Sequence, residues 1–195
     1  MRNSLSDAER RRRRRRRRIQ VVIIYTAIAV CLAWFFESQA TTTVIFVRHA
    51  EKAAVEGSDP GLSAAGQVRA AELARQLVDA DVVAGVDAVY STSYRRTEET
   101  ARPTATALGL PITSYDAANT ETIMDDIVRS HKGKIILVVG HSNTLPALIY
   151  NMGASKNVPA IDEAEYDNLY IVTIPWFGKT KTIRLRYGEP YVPAS

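Results

Sequence analysis

The sequence predicts an α/β fold in which a central sheet lies between two layers of helices, preceded by one N-terminal transmembrane helix. Short runs of β-branched and aromatic residues alternate with longer segments of helical periodicity. This alternation is the pattern of a three-layer α/β/α sandwich. Three of the apolar runs are also followed within six residues by arginine or histidine. In open α/β sheets, ligands bind at the carboxyl ends of the strands.

The N-terminal segment combines a dense positive charge with an apolar run. Residues 1–18 form a basic tail with ten arginines against two acidic residues, a local charge of +8 in a chain whose formal net charge is +4. Residues 19–36 carry no charged side chain and, as a helix, span about 27 Å, close to the thickness of a bilayer's hydrocarbon core. The arginines predict a cytoplasmic N-terminus and an exported C-terminal domain.

Two interpretations of the apolar run stay open. It is a permanent signal anchor, or it is a signal peptide that is cut after Ala40, because Ser38 and Ala40 are small residues at the two expected positions. The run exceeds the usual core length of about 7–15 residues in signal peptides, which favours the anchor. The arginines directly precede the span, so they are expected to meet anionic lipid headgroups rather than nucleic acid.

Residues 37–41 form a short linker, and residues 42–195 form the predicted enzyme domain. Its strands are expected at residues 44–47, 86–90, 112–115, 134–139, 169–174 and 180–187. Its helices are expected from an N-cap at Ser63 to residue 78, at 97–108, from a cap at Asn119 or Thr120 to residue 131, and at 144–150. The last two strands are expected to form a hairpin at the edge of the sheet.

Three strand ends carry candidate functional residues. The first strand ends in Arg48 and His49, the second is followed by residues 91–101 with Arg96, and a later strand is followed by His141. Because ligands bind at the carboxyl ends of such strands, these side chains are expected at one edge of the sheet. The cluster suits a phosphate dianion, since guanidinium groups bind its oxygens two at a time and a neutral imidazole can attack phosphorus.

These segments, in this order, resemble the histidine phosphatase superfamily, whose fold is phosphoglycerate-mutase-like and whose first motif is Arg-His-Gly. The resemblance spans residues 42–187, about three quarters of the chain. The matching segments are Arg48-His49-Ala50, with Ala in place of Gly, Leu62-Ser63-Ala64-Ala65-Gly66 at a helix start, residues 91–101 for the second arginine, and Gly140-His141-Ser142 for the second histidine. The spacing to Thr100-Ala101 selects Arg96 rather than Arg95 as that second arginine.

The resemblance implies a role for each of the four residues. His49 is the nucleophile that forms a phosphohistidine, and Arg48 and Arg96 clamp the phosphate oxygens. His141 donates a hydrogen bond to these oxygens and stabilises the transition state. This chemistry requires no metal and no cofactor.

A carboxylic acid is also needed near the site, because the leaving oxygen must take up a proton. In the family this acid often follows the strand after the second-arginine helix. That position points to Asp116, with Glu121 as the second choice. The alternative is that both are ordinary solvated residues of a loop or a helix cap.

Two departures from the family favour a phosphatase over a mutase. Val55 stands where the mutase branch has Asn. Only 45 residues separate Arg96 from His141, so the long insertion that helps mutases hold a sugar-acid substrate is not expected.

The sequence therefore predicts a membrane-anchored, extracytoplasmic phosphoric monoester hydrolase of the histidine acid phosphatase type. Its substrates would be phosphorylated small molecules or envelope phosphates. One alternative is a phosphohistidine protein phosphatase, which requires the opposite topology because such substrates are cytoplasmic. Another is a non-catalytic, membrane-anchored module that binds phosphate. Nucleic acid is not an expected partner, since the basic charge belongs to the tail and not to the domain.

Overall fold

The computed structural model describes residues 7–38, 41–55, 57–79 and 85–193. The chain divides into two compact units, Met1–Gln39 and Ala40–Ser195. The described part of the first unit is a single helix, α1 (Asp7–Ser38). Residues 39 and 40, which belong to the predicted cleavage site and linker, lie outside the described residues.

Helix α1 is long and apolar enough to cross a membrane, and its candidate span is Glu9–Phe36. None of the apolar window is buried within the structure. Large side chains such as Tyr25 and Trp34 are about three-quarters exposed, at 75% and 74%. A helix that is apolar on all sides is stable where its surroundings are also apolar, as in a bilayer.

The second unit contains one six-stranded mixed sheet with the strand order β3-β2-β4-β1-β5-β6. The strands are β1 (Thr41–Arg48), β2 (Ala88–Thr92), β3 (Ile112–Tyr115), β4 (Ile135–Gly140), β5 (Asn168–Pro175) and β6 (Lys181–Arg186). The first four pair in parallel, whereas β5 runs antiparallel to β1 and to β6. This confirms the predicted hairpin at the edge of the sheet.

Helices cover both faces of the sheet. They are α2 (Ala64–Asp79), α3 (Arg95–Leu108), α4 (Thr120–Ser130) and α5 (Leu145–Asn151). Alternate residues of β1 face opposite sides, as the period of a strand requires. Val44 and Phe46 belong to the core with α4 and α5, while Ile45 and Val47 belong to the core with α2 and α3. The predicted three-layer α/β/α fold is confirmed.

The bounds of the first two strands differ from those predicted. Strand β1 begins at Thr41 rather than at residue 44, because residues 41–43 pair with the end of β5. Strand β2 begins at Ala88 rather than at residue 86. Asp87, directly before it, still contacts β4, since its main-chain N–H donates to the carbonyl of Ile135 at 2.7 Å and its carboxylate accepts from the N–H of Ile135 at 2.9 Å.

The topology brings three carboxyl strand ends together. Strand β4 lies between β1 and β2, and all three run in the same direction. In the ladder of β1 and β4, Arg48 lies opposite Gly140. The residues that follow these strands therefore meet at one edge of the sheet.

Candidate active site

The ends of β1 and β4 place two histidines side by side. The main-chain N–H of His49 donates to the carbonyl of Gly140 at 2.9 Å, which extends the ladder by one residue. The ring centroids of His49 and His141 are 5.3 Å apart. Both side chains are buried, at 5% and 8% exposure. Two imidazoles that are 92 residues apart in the chain thus share one site.

The hydrogen bond of His49 assigns its tautomer. Nδ1 lies 2.8 Å from the carbonyl oxygen of Ala50, which can only accept, so Nδ1 carries the hydrogen and Nε2 carries the lone pair. Burial lowers the pKa of His49 to about 3, and the cations Arg48 and Arg96 act in the same direction. At neutral pH the ring is therefore uncharged, with a lone pair that can act as a nucleophile.

His141 is held by two threonine hydroxyl groups. The hydroxyl of Thr97 lies 3.0 Å from the carbonyl oxygen of Thr92 and 2.7 Å from that of Tyr94, and it donates its hydrogen to these acceptors. The Thr92 hydroxyl, 2.8 Å away, then donates to Thr97 and accepts from Nε2–H of His141 at 2.9 Å. Nδ1 remains for a ligand. Because burial lowers the pKa of His141 to about 4, Nδ1 acquires a hydrogen only when a bound anion stabilises the imidazolium.

Arg48 is held by main-chain carbonyl groups instead of a carboxylate. Its Nη1 donates to the carbonyls of Asp162 and Glu165, at 2.7 and 3.1 Å. Its Nε is buried and has no partner among the described residues. A buried donor without a partner costs about 1–3 kcal/mol, and a bound oxyanion would remove this cost. The ring of Tyr166 lies against the guanidinium, 4.2 Å from Cζ to the ring centroid.

Arg96 has a similar environment in the first turn of α3. Its guanidinium lies over the ring of Tyr94 at 4.3 Å, and its side chain is 16% exposed. Its Nη1 lies 3.8 Å from the carboxylate of Asp59, which is beyond hydrogen-bond distance. Tyr94 also contacts His141 edge to face, with centroids 5.2 Å apart. Both arginines thus lie against a tyrosine ring, and their hydrogen bonds among the described residues leave donors for an anion.

Two further motif residues join the elements that carry the site. The Thr100 hydroxyl accepts from the N–H of Ala50 at 2.9 Å and donates to the carbonyl of Arg96 at 2.7 Å, so α3 is fastened to the residue after His49. At Gly66, a side chain would collide with the carbonyl of Glu51. Glycine is therefore required where α2 approaches the loop that follows β1.

A pocket of about 700 Å³ opens over the two histidines. It includes all four residues that the sequence placed at the site, Arg48, His49, Arg96 and His141. Its wall also contains Lys52, Tyr94, Asn143, Glu163 and Tyr166, among others. Among the described lining residues, cations outnumber carboxylates, which suits a dianionic ligand.

Asp116, the first of the two carboxylates that the sequence suggested as proton donors, is not in the described lining of this pocket. Asp116 follows β3 as expected, but its carboxylate is exposed and accepts from Ala118 N–H at 2.9 Å and from the Asn119 side chain at 3.0 Å. It thereby closes the turn before α4. Glu121 is in the first turn of α4, and its side chain lies outside the described part of the structure. A proton-donor role for either residue stays a prediction.

Sequence reasoning missed several residues of the site. Glu163 is the carboxylate in the described pocket lining, and Tyr166 supports Arg48. Both come from the irregular segment between α5 and β5, which has no periodicity to interpret. The available signal was its composition, since residues 162–167 contain four acidic residues and a tyrosine. Thr92 and Tyr94 were inside the second-arginine segment but were assigned no role.

The family comparison agrees with the resemblance derived from the motifs. Residues 44–119 match the family model "Histidine phosphatase superfamily (branch 1)". This confirms the predicted resemblance. The search of curated proteins finds no significant match.

Solved structures share the fold of the domain. A phosphohistidine phosphatase SixA homologue from Agrobacterium tumefaciens has a TM-score of 0.57 at 23% identity, covering 77% of this chain and 99% of its own. SixA complexed with tungstate has a TM-score of 0.59 at 17% identity, and the match covers 74% of this chain and 96% of SixA. A mycobacterial glucosyl-3-phosphoglycerate phosphatase in complex with inorganic phosphate has a TM-score of 0.58 at 13% identity, and the match covers 76% of this chain and 97% of that phosphatase. At these identities the similarity establishes the fold, which is phosphoglycerate-mutase-like as predicted.

We expect the rings of His49 and His141 to stay neutral from pH 8 down to about pH 5, because burial lowers their pKa values to about 3 and 4. The unfolded chain binds these protons near pH 6.5, so both histidines make the fold less stable as the pH falls below that value. An NMR titration of protein labelled at histidine measures both pKa values, and His49→Asn and His141→Asn variants assign the signals. A midpoint near pH 6.5 for either ring would contradict the expectation.

Proposed function

We propose that this chain, whose residues 44–119 match the histidine phosphatase superfamily, is a membrane-anchored, extracytoplasmic phosphatase of the histidine acid phosphatase type. It hydrolyses phosphomonoesters through a phosphohistidine intermediate. The observation that carries the proposal is the pair of buried imidazoles, 5.3 Å apart, in one pocket with Arg48 and Arg96. A neutral nucleophile beside two cations is what transfer of a phosphoryl group requires.

In the first step, Nε2 of His49 attacks phosphorus while the bond from phosphorus to the ester oxygen breaks. Arg48 and Arg96 bind the phosphoryl oxygens and neutralise the charge that develops on them. His141 takes up a proton from solvent at Nδ1 when the dianion binds, because the negative charge stabilises the imidazolium, and it then donates a hydrogen bond to the same group. The leaving oxygen takes a proton from a carboxylic acid and departs as an alcohol.

In the second step, water attacks the phosphorus of the phosphohistidine and the bond to Nε2 breaks. The carboxylate that gave up its proton in the first step accepts one from this water. Inorganic phosphate leaves, and His49 returns to its neutral state. Glu163 is the carboxylate in the described lining of the pocket, so we assign it this acid and base role in preference to Asp116.

The membrane anchor and the extracytoplasmic location rest on the N-terminal helix. Its candidate span, Glu9–Phe36, includes arginines at its N-terminal end and an uncharged run after residue 18. Arginines on one side of a span favour the cytoplasmic side for that end. The accessible substrates would then be phosphorylated small molecules or envelope phosphates.

A second candidate function is that of a phosphohistidine protein phosphatase. It is favoured by the similarity of the fold to solved structures of SixA-type phosphohistidine phosphatases. Such an enzyme would act on phosphorylated proteins in the cytoplasm, so it requires the domain on that side of the membrane. A non-catalytic module that only binds phosphate is the remaining alternative.

We expect His49→Ala to lower the hydrolysis of an activated aryl phosphate by roughly 10³-fold or more, because the nucleophile is removed. His131→Ala is the matched control, since His131 follows the last residue of α4 and its Nε2 forms a hydrogen bond with the Tyr90 hydroxyl at 2.9 Å. It should keep the activity within about threefold, as a residue outside the site. Steady-state kinetics with circular dichroism of each variant measure this. Equal activity of His49→Ala and wild type would exclude the phosphohistidine mechanism.

The proton donor is identified by its dependence on the leaving group. We expect Glu163→Gln to slow hydrolysis of an alkyl phosphate by roughly 10²-fold or more and that of a nitrophenyl phosphate much less, because nitrophenolate needs little protonation. Asp116→Asn should affect both substrates little, since Asp116 closes a turn outside the pocket. If Asp116→Asn instead of Glu163→Gln lowered kcat/KM for the alkyl phosphate much more than for the nitrophenyl phosphate, the role would belong to Asp116.

Topology is tested with a reporter enzyme that is active only after export, fused behind residue 195. We expect activity in the wild-type fusion and a marked decrease when residues 10–18 are changed from arginine to serine, because the orienting charge is lost. A reporter of cytoplasmic folding on the same site is the control. Activity of the cytoplasmic reporter alone would favour the phosphohistidine protein phosphatase.

A further inference from the structure

A second pocket adjoins the phosphate pocket and shares part of its wall. It has a volume of about 530 Å³ and lies where the loop after β1 meets α2 and α3. Ala53 and Val55 line both pockets. Val55 is 61% exposed, so an aliphatic side chain stands between the site of phosphate chemistry and the second pocket.

The wall of the second pocket consists largely of hydrocarbon. Besides the shared residues, its apolar lining is Leu62, Ala70 and Pro103. The charged residues of its lining are Arg95, Glu99 and Arg102. Arg95 and Glu99 pair with each other at 3.2 Å, and Arg102 lies 3.8 Å from Glu98 on the exposed side of α3. A ligand in this pocket therefore gains from burial of apolar surface rather than from an ionic contact.

The phosphate pocket has another neighbour of the opposite character. That pocket, of about 460 Å³, shares Tyr94 and Ala117 with it and contains Ser93, Ser114 and Asp116. A sugar or another polar leaving group would find hydroxyl and carboxylate partners there. The two neighbours thus distinguish two classes of substrate by the chemistry of the alcohol that is released.

We propose that the pocket beside Val55 binds the leaving group of the substrate and that this group is an aliphatic hydrocarbon chain. The inference rests on the proposed phosphatase activity and narrows it to phosphomonoesters of aliphatic alcohols. The phosphate is held by the cationic pocket, and the chain passes Val55 to reach the wall formed by Leu62, Ala70 and Pro103. Affinity for the substrate then increases with the apolar area of the chain that leaves water.

The test is a series of straight-chain alkyl phosphates from ethyl to hexyl, hydrolysed by the full chain in lipid nanodiscs. The released alcohols have similar basicity, so differences in kcat/KM report binding of the chain and not the chemistry. We expect kcat/KM to rise by roughly fourfold for each methylene that becomes buried. Gln67→Trp, an exposed position of α2 that lines the pocket, fills it and should abolish the increase. Val55→Asp, which puts a charge on the shared wall, should do the same.

Ser114→Trp is the matched control, because it fills the polar neighbour from an exposed position of β3. It should keep the ratio of hexyl to ethyl phosphate turnover at the wild-type value. A flat series with measurable ethyl phosphate hydrolysis would overturn the apolar subsite while leaving the phosphatase intact. The apolar subsite would also be overturned if Ser114→Trp lost the increase of kcat/KM with chain length, or if both Gln67→Trp and Val55→Asp kept it. No hydrolysis of any alkyl or aryl phosphate would overturn both proposals.

Discussion

The parallel pairing of β1 with β4 is the constraint on which the site depends. Its register sets Arg48 opposite Gly140, so the next residue on each strand is a histidine and the two rings are neighbours. A shift of one residue would turn side chains of β1 to the other face of the sheet. Such a shift would exchange Val44 and Phe46 with Ile45 and Val47 between two closely packed cores, and side chains of different shape would then have to fit each core. Packing of the core thus determines how the two imidazoles are placed.

The site holds its two guanidinium groups mainly through neutral partners. Carbonyl oxygens and tyrosine rings support them, and the carboxylate of Asp59 lies 3.8 Å from Arg96. Burial keeps both imidazoles neutral by lowering their pKa values, and the charges of Arg48 and Arg96 act in the same direction. A phosphate dianion would relieve this arrangement, because it supplies the missing negative charge and an acceptor for the buried Nε of Arg48. The charge and the unpaired donor of this pocket are therefore complementary to an oxyanion.

The C-terminal hairpin contributes to the site from a distance. Arg186 in β6 binds the carboxylate of Asp167 at 2.6 and 2.8 Å and approaches that of Glu165 at 3.1 Å. Asp167 is 1% exposed and also accepts from the N–H of Tyr191 at 2.9 Å. These bonds fix the segment whose carbonyls hold Arg48. The antiparallel edge of the sheet is in this way part of the support for a residue at its centre.

The sequence alone was sufficient for the fold class and for the four residues that converge, because both follow from local patterns. Strand and helix periods indicated the layers, and residues directly after strands such as His49 and His141 share an edge wherever the strands are parallel. Only the tertiary structure decided that Glu163 rather than Asp116 lines the pocket, that the arginines contact tyrosine rings, and which nitrogen of each histidine is free. Irregular segments have no period from which their position can be derived. A pKa or a tautomer depends on burial and on partners that the folded chain brings together from remote positions.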